Sequence, residues 1–205
     1  MTLVGKKTER PRDAQREATA HRILTSALRL FDRFGFEHTT VDKIVEDAGV
    51  AKGTFFHHFP SKDAILGWIG DQQIRNLKSS IASRRGFSQL SFEKQIRFVL
   101  LTLGEAHAKR KALIKFLAAA LLKTDLLSGP HSQGMSQLDA VLLPLIQSAQ
   151  QSGEVRPDIP ADTIASFIRA MYFHSILEWL QPEDKKFDQT LEPFLQLIIR
   201  GTKGD

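Results

Sequence analysis

The 205-residue chain contains no cysteine, one tyrosine, two tryptophans and three methionines. The absence of cysteine excludes disulfide bonds, thiolate catalysis and cysteine-based zinc sites, and it is compatible with a reducing cytoplasm. No apolar run approaches the length of a membrane span, since the segment 116–122 is closed by Lys115 and Lys123. The N-terminus also lacks an apolar signal core. We therefore expect a soluble cytoplasmic protein that does not contact a membrane.

Motifs for catalysis and metal binding are missing as well. His57 and His58 are adjacent and diverge by about 100° on a helix, and no His-Glu-x-x-His or Glu-x-x-His motif occurs. No serine lies in a Gly-x-Ser-x-Gly turn, and no glycine loop is suited to cradling a phosphate. We expect no enzymatic activity, no metal site and no cofactor.

The net charge of +5 suits a polyanionic partner. Residues 1–62 hold 11 Lys or Arg against 8 Asp or Glu, a balance of +3. Four basic residues, Lys6, Lys7, Arg10 and Arg12, lie in an arm at 1–12. This arm either reaches the phosphates or the minor groove of DNA, or is a solvated tail.

Nearly all of the chain has the apolar periodicity of helices, without an alternating strand pattern. The spacing predicts helices at 13–34, 61–83, 91–107, 111–127, 132–151, 161–180 and 187–200, besides two short ones described next. Pro144 is expected to kink or break its helix. The first helix has an inward stripe of Ile23, Ala27, Leu30, Phe31 and Phe34. The predicted fold class is all-α, with a flexible arm at 1–12 and domains at 13–62 and 63–205.

The segment 39–62 reads TTVDKIVEDAGVAKGTFFHHFPSK and predicts two short helices joined by a glycine turn. Thr39 or Thr40 is expected to cap the first helix, and Gly49 to end it with a positive φ. In the second helix Phe55 and Phe59 are expected to face inward. Such a helix-turn-helix places its second helix in the major groove of DNA.

The segment 23–68 resembles the N-terminal DNA-binding domain of the TetR family of bacterial transcriptional regulators. The resemblance is carried by LFDRFGF at 30–36, TTVDKI at 39–44, AGVAKGTFFHHF at 48–59 and SKDAIL at 61–66. It implies a three-helix DNA-binding domain followed by a helical ligand-binding and dimerisation domain. Two departures matter, because family members usually have tyrosine where Phe56 stands and more often serine where Ala51 stands.

The expected DNA contacts are made by both short helices and the start of the next. Lys52 and Lys62 are predicted to bind phosphates, and Thr54 to read a base edge or a thymine methyl group. The predicted DNA-binding residues are Thr39, Thr40, Ala51, Lys52, Gly53, Thr54, Phe56, His57, His58 and Lys62.

The last two helices are apolar on more than one face, so each must be covered on several sides. They are either internal core helices or a pair that also covers the same pair on a second subunit. The resemblance favours a homodimer, which predicts a palindromic operator. The predicted interface residues are Ile164, Phe167, Ile168, Met171, Phe187, Leu191, Phe194, Leu195 and Ile198.

The second domain is expected to hold a pocket for an apolar or aromatic small-molecule effector. The candidate wall residues are Phe92, His107, Phe116, Met135, Tyr172, Phe173 and His174. Together these features predict a ligand-responsive DNA-binding regulator, most simply a repressor released from its operator by the effector. A helical protein-binding scaffold and an enzyme without a recognisable motif are the alternatives, and the sequence does not separate repressor from activator.

Overall fold

The computed structural model describes residues 11–109, 111, 113–115, 118, 132–181 and 185–204. The helices are α1 (Pro11–Phe34), α2 (Val41–Ala48), α3 (Lys52–His58), α4 (Lys62–Ser83), α5 (Phe92–Ala108), α6 (Ser132–Gln151), α7 (Ala161–Trp179) and α8 (Phe187–Thr202), with a 3₁₀ turn at Phe87–Gln89. Residues 111, 113–115 and 118 are also helical. The described residues form no strand beyond an isolated bridge between Val155 and Lys203. The predicted all-α class is therefore confirmed.

The chain divides into two compact units, with the boundary between Ile65 and Leu66 inside α4. Residues 1–10 of the predicted arm lie outside the described residues, while Pro11 and Arg12 already belong to α1. Proline is favoured in a first helical turn because its missing N–H would have no partner there. The roles assigned to the arm and to each domain stay predictions.

In the first unit the buried face of α1 follows the predicted stripe through Ile23, Ala27 and Phe31. Phe34 departs from that prediction, with an exposed fraction of 43%. Phe36 takes the inward place instead, and its ring centroid lies 4.8 Å from that of Phe31. The helix ends at Phe34, so the chain beyond it can turn one aromatic side chain inward and leave the other outside.

The second unit is built around α7 and α8, which pack against each other and against α5 and α6. Its core includes Ile168 on α7 and Leu195 on α8, both fully buried. Gly104 on α5 allows close approach of α8, because a Cβ at this position would lie 2.0 Å from the ring of Phe187. That ring also contacts Trp179 edge to face, with centroids 5.6 Å apart.

Two helices of the second unit show local features that involve unusual backbone partners. The side chain of Ser91 does not cap α5; the carboxylate of Glu154 accepts a hydrogen bond from the Phe92 N–H at 2.8 Å instead. Of the two alternatives predicted for Pro144, a break is not seen, because α6 continues through it. Pro144 and Ala140 are both exposed, so water can reach the carbonyl that lacks its usual N–H partner.

None of the described helices is long and apolar enough to cross a membrane.

Candidate functional site

The local sequence fixes both ends of α2. The hydroxyl of Thr40 accepts a hydrogen bond from the Lys43 N–H at 3.3 Å, so Thr40 is the N-cap. Gly49 ends the helix in the left-handed region at φ 63°. Its N–H donates to Glu46 and that of Val50 donates to Val45, so two terminal carbonyls are satisfied. This turn lets α3 begin only three residues after Gly49.

The aromatic residues of α3 set which face points outward. Phe55 is fully buried and Phe59, just past the helix, is 4% exposed, as predicted. On the opposite side Lys52, Gly53 and His57 are exposed, and Phe56 is 48% exposed. Nothing within the first unit covers this face among the described residues. We call the surface formed by Thr40, Ala51, Lys52, Gly53, Thr54, Phe56 and His57 the α3 face.

Lys52 has an anionic partner already. Its Nζ lies 2.7 Å from the carboxylate of Asp42 at the start of α2, and both side chains are more than half exposed. The ion pair offsets the unfavourable position of a lysine at a helix N-terminus. A surface pair of this kind is worth at most about 1 kcal/mol, so a phosphate can compete with Asp42 for the ammonium group.

The two histidines of α3 differ in their surroundings. His57 is exposed, whereas His58 is half-buried and its ring lies 6.4 Å from that of Phe59. Burial, followed by the charges of His57 and Arg16, lowers the pKa of His58. His58 is therefore a weaker candidate than His57 for a protonated phosphate contact.

Two predicted DNA contacts have internal roles in the structure. Thr39 is fully buried, and its hydroxyl donates to the carbonyl of Gly35 at 2.8 Å. The ammonium group of Lys62 donates to the carbonyls of Phe36 at 2.7 Å and Thr39 at 3.0 Å. The same group lies 4.1 Å from the centre of the Phe36 ring. In the folded chain Lys62 therefore ties the α1–α2 loop to α4, and Thr39 has no exposed surface.

A partly open cavity of about 180 Å³ lies in the second unit, lined by residues of α4, α5, α6 and α7. Leu103, Leu138 and Ile176 form its apolar lining. Gln73, His107, Tyr172 and Arg169 contribute polar groups. A larger hollow of about 440 Å³ near the end of α7 is lined largely by exposed polar side chains such as Glu178 and Gln189, so the smaller cavity is the better candidate binding site.

His107 stands at the centre of a hydrogen-bonded chain in the cavity wall. Its Nε2 lies 3.0 Å from Oε1 of Gln73, and its Nδ1 lies 3.0 Å from the hydroxyl of Tyr172. With the amide oxygen as acceptor, Nε2–H donates to Gln73 and Nδ1 accepts the proton of Tyr172. Burial lowers the pKa of His107 to about 4 and raises the pKa of Tyr172. Both side chains are therefore neutral at pH 7.

The predicted effector residues are only partly brought together. His107, Tyr172 and Phe173 line the cavity. Phe92 is buried at the start of α5 and is not among the cavity-lining residues, and His174 is exposed on α7 with its ring against Phe194. Phe116 and the side chain of Met135 lie outside the described residues.

Sequence reasoning missed seven of the ten described residues that line the cavity, among them Gln73, Gly70 and Arg169. Gln73 lies one turn from Ile69 and from Leu77 on α4, and a polar amide between buried apolar residues was the available signal. Gly70 is a glycine inside a helix, which is unfavourable unless the missing side chain has a use. Arg169 gave no signal, because its ion-pair partner Asp139, at 2.9 Å, lies 30 residues away on another helix.

Most of the predicted interface residues lie inside the unit. Ile164, Ile168, Phe187, Leu191, Leu195 and Ile198 are buried within one chain. Phe167 is 43% exposed, and Met171 and Phe194 are half-buried. Leu197, which the sequence prediction omitted, is 61% exposed. We call the outer surface formed by Phe167, Ala170, His174, Phe194 and Leu197 the α7–α8 face.

Comparison with known proteins places these features in a family. Residues 23–67 match the family described as bacterial regulatory proteins, tetR family. The chain is 29% identical over 219 residues to the HTH-type transcriptional regulator RutR of Escherichia coli, with 99% of each chain covered. It is 26% identical to the HTH-type transcriptional regulator EthR of Mycolicibacterium smegmatis, over 87% of this chain and 81% of that one.

Solved structures show the same architecture. The crystal structure of Thermus thermophilus FadR, a TetR-family transcriptional repressor in complex with lauroyl-CoA, superposes with a TM-score of 0.73 at 26% identity. The match covers 89% of this chain and 94% of that one. FadR of Bacillus subtilis in complex with stearoyl-CoA, at 18% identity and a TM-score of 0.72, shares the fold.

Three observations indicate the same function. They are the capped helix-turn-helix, the exposed α3 face, and the similarity to transcriptional regulators over nearly the whole chain. Residues 23–67 are thus a DNA-binding domain of the TetR family, and the chain is a DNA-binding transcriptional regulator, not an enzyme.

Proposed function

We propose that this regulator is a homodimeric repressor that binds a palindromic operator and leaves it when a small molecule occupies the second unit. The observation that carries the proposal is the α3 face, which exposes a lysine, a glycine, an aromatic ring and a histidine side by side. Solubility alone gives no reason to expose Phe56. Contact with thymine methyl groups or sugars gives one.

Each subunit places α3 in one major-groove half-site. Lys52 exchanges Asp42 for a phosphate, and the absence of a side chain at Gly53 lets backbone N–H groups approach the DNA. Thr54, half-buried at the edge of the face, reads a base edge. Thr40 and His57 add polar contacts on either side.

The α7–α8 face supports the homodimer. Phe167 and Leu197 are large apolar side chains exposed on neighbouring helices, and a second copy would remove them from water. A two-fold axis through this face presents the same surface on both subunits. The two α3 helices then read half-sites about 34 Å apart, one turn of B-DNA.

The cavity supports ligand response, as does the relative FadR, whose structure holds lauroyl-CoA. Helix α4 contributes residues to both units: Lys62 bonds to the α1–α2 loop, and Gln73 lies in the cavity wall. An effector that favours one position of α4 shifts the population of DNA-competent dimers, provided that it binds the two states with different affinity.

Selection of bound sequences from a random DNA pool tests the proposal. We expect enrichment of a palindrome, and a pool without one would contradict the two-fold model. Lys52→Ala should weaken operator binding about tenfold and reduce the salt slope by about one counterion. Lys78→Ala, which removes an exposed lysine from α4, is the matched control and should leave both values unchanged.

A further inference from the structure

Gly70 lies in the wall of the cavity without a packing reason to be glycine. A Cβ at this position would meet no atom within 4 Å, whereas a Cβ at Gly104 would overlap the ring of Phe187. Glycine weakens a helix, and here no close neighbour requires it. Since Gly70 also lines the cavity, the missing side chain leaves space inside it.

The size of that space limits its occupant. The cavity measures about 180 Å³, below the roughly 300–1,000 Å³ of pockets for drug-sized ligands. An engineered protein cavity of about 150 Å³ takes up one benzene molecule. A single ring with a small substituent therefore matches the volume, and a fatty acyl chain does not.

The polar wall limits the chemistry of the occupant. The amide oxygen of Gln73 is engaged by His107, and its NH₂ group makes no hydrogen bond to the described residues. With Nδ1 of His107 as the acceptor, the hydroxyl of Tyr172 donates to it, which leaves the hydroxyl oxygen free to accept. The wall thus pairs a donor with an acceptor, the complement of a carboxamide group.

Among the described residues that line the cavity, the charged side chain is that of Arg169. Asp139 neutralises it at 2.9 Å, with both side chains about three-quarters buried. A carboxylate ligand would have to compete with Asp139 for the guanidinium group. An uncharged ligand leaves the ion pair intact.

We propose that the effector is a compact, uncharged molecule of about one ring, bound through an amide-like group by Gln73 and Tyr172, and that Gly70 sets the size limit. This inference rests on the proposed function, because it assigns the effector class to a ligand-responsive regulator. The proposed effector class differs from the lauroyl-CoA held in the structure of Thermus thermophilus FadR.

Isothermal titration of the full chain with benzamide, benzoate and lauroyl-CoA tests the inference. We expect saturable benzamide binding and benzoate binding at least about tenfold weaker, since no described residue of the site offers a carboxylate a free counter-charge. Lauroyl-CoA should neither bind nor compete. Absence of saturable benzamide binding, tighter benzoate binding, or competition by lauroyl-CoA would each overturn the proposal.

Gly70→Leu should fill the cavity and weaken benzamide binding at least about tenfold, with the helical circular dichroism spectrum retained. Gly67→Leu is the matched control, because its Cβ also meets nothing within 4 Å but Gly67 does not line the cavity. Gly67→Leu should bind benzamide with an affinity within about twofold of the wild-type value. If Gly70→Leu fails to fold, Gly70→Ala should show a smaller loss, and unchanged affinity in the folded variant contradicts the role of Gly70.

These titrations contain no DNA. Benzamide binding with no operator in the random pool would retain the effector class and reject the repressor. Operator binding without benzamide binding would do the reverse.

Discussion

Phe56 presents a ring without a hydroxyl on the α3 face, at a position where the family usually has tyrosine. The ring is 48% exposed and packs edge to face on Phe55, with centroids 5.3 Å apart. It is therefore held in place by a buried neighbour while its outer edge stays free. The hydroxyl that a tyrosine would add at that edge is an additional hydrogen-bond donor for a phosphate.

We expect Phe56→Tyr to increase operator affinity by about tenfold, because a hydrogen bond to a charged group contributes about 1.5 kcal/mol. Fluorescence anisotropy with the selected operator measures the change. Phe34→Tyr makes the same chemical change at an exposed ring on α1 and should have no effect. A decrease for Phe56→Tyr would mean that the free edge already packs tightly on DNA.

His107 gives the stability of the second unit a pH dependence. Its pKa is about 4 in the folded chain and 6.5 as its ordinary value, so the unfolded chain binds the extra proton between these limits. The stabilising contribution is complete above pH 6.5 and is lost as the pH falls towards 4. Its full size is about 3 kcal/mol.

Urea unfolding between pH 7.5 and 5 measures this loss in wild type and in His107→Gln. The variant has no titrating group at this position and should show a flatter profile, although it is less stable at pH 7.5. Parallel profiles would mean that His107 is not buried as a neutral group.

At the scale of elements, close helix contacts depend on single side chains. Gly104 is the position where α5 meets α8, and Phe187 fills the space that a Cβ would occupy. We expect Gly104→Ala to destabilise the chain by about 1–3 kcal/mol through displacement of Phe187 from Trp179. Urea unfolding measures the loss.

Gly67→Ala is the control for that prediction. No atom lies within 4 Å of the added methyl group, and helix propensity should stabilise α4 by up to about 1 kcal/mol. If the two substitutions change the free energy of unfolding in opposite directions, the packing effect at Gly104 is separated from the effect of helix propensity. Stabilisation by Gly104→Ala would show that Phe187 moves without cost.

Local sequence was sufficient for the elements of the first unit. The cap at Thr40, the left-handed Gly49 and the buried pair Phe55 and Phe59 follow from neighbours along the chain. Lys62 could not be assigned in this way, because its partners Phe36 and Thr39 lie more than twenty residues away. The same limit applied to Glu154, which caps α5 from a distant loop.

At the scale of the whole molecule, we expect a dimer held by the α7–α8 face. Leu197→Lys places a charge beside Phe167 and Phe194 and should yield monomers, since an unpaired charge is costly to bury. Analytical ultracentrifugation measures the mass. Operator affinity should fall as the dimer is lost, because a monomer contacts only one half-site and binds weakly.

Ser148→Lys adds the same charge at an exposed position on α6 and should leave the mass unchanged. If the Leu197→Lys variant remains dimeric, the dimer interface lies on another surface of the second unit.

The apolar pattern of α7 and α8 predicted burial on several sides, but it did not say which residues face the core of their own chain. Leu195 and Leu197 are two positions apart, and one is fully buried while the other is 61% exposed. This choice depends on how α8 is rotated about its own axis against α5 and α7. Such rotation is a property of the packed unit.

The sequence by itself determined the helical class, the helix-turn-helix and the family, because caps, turns and apolar periodicity act between residues close in the chain. Tertiary structure alone decided the cavity, since Gly70, His107 and Tyr172 come from three helices that meet only after packing. It also decided that Lys62 bonds within the protein and that Leu197 stays outside. Each of these depends on which distant groups occupy the surrounding space.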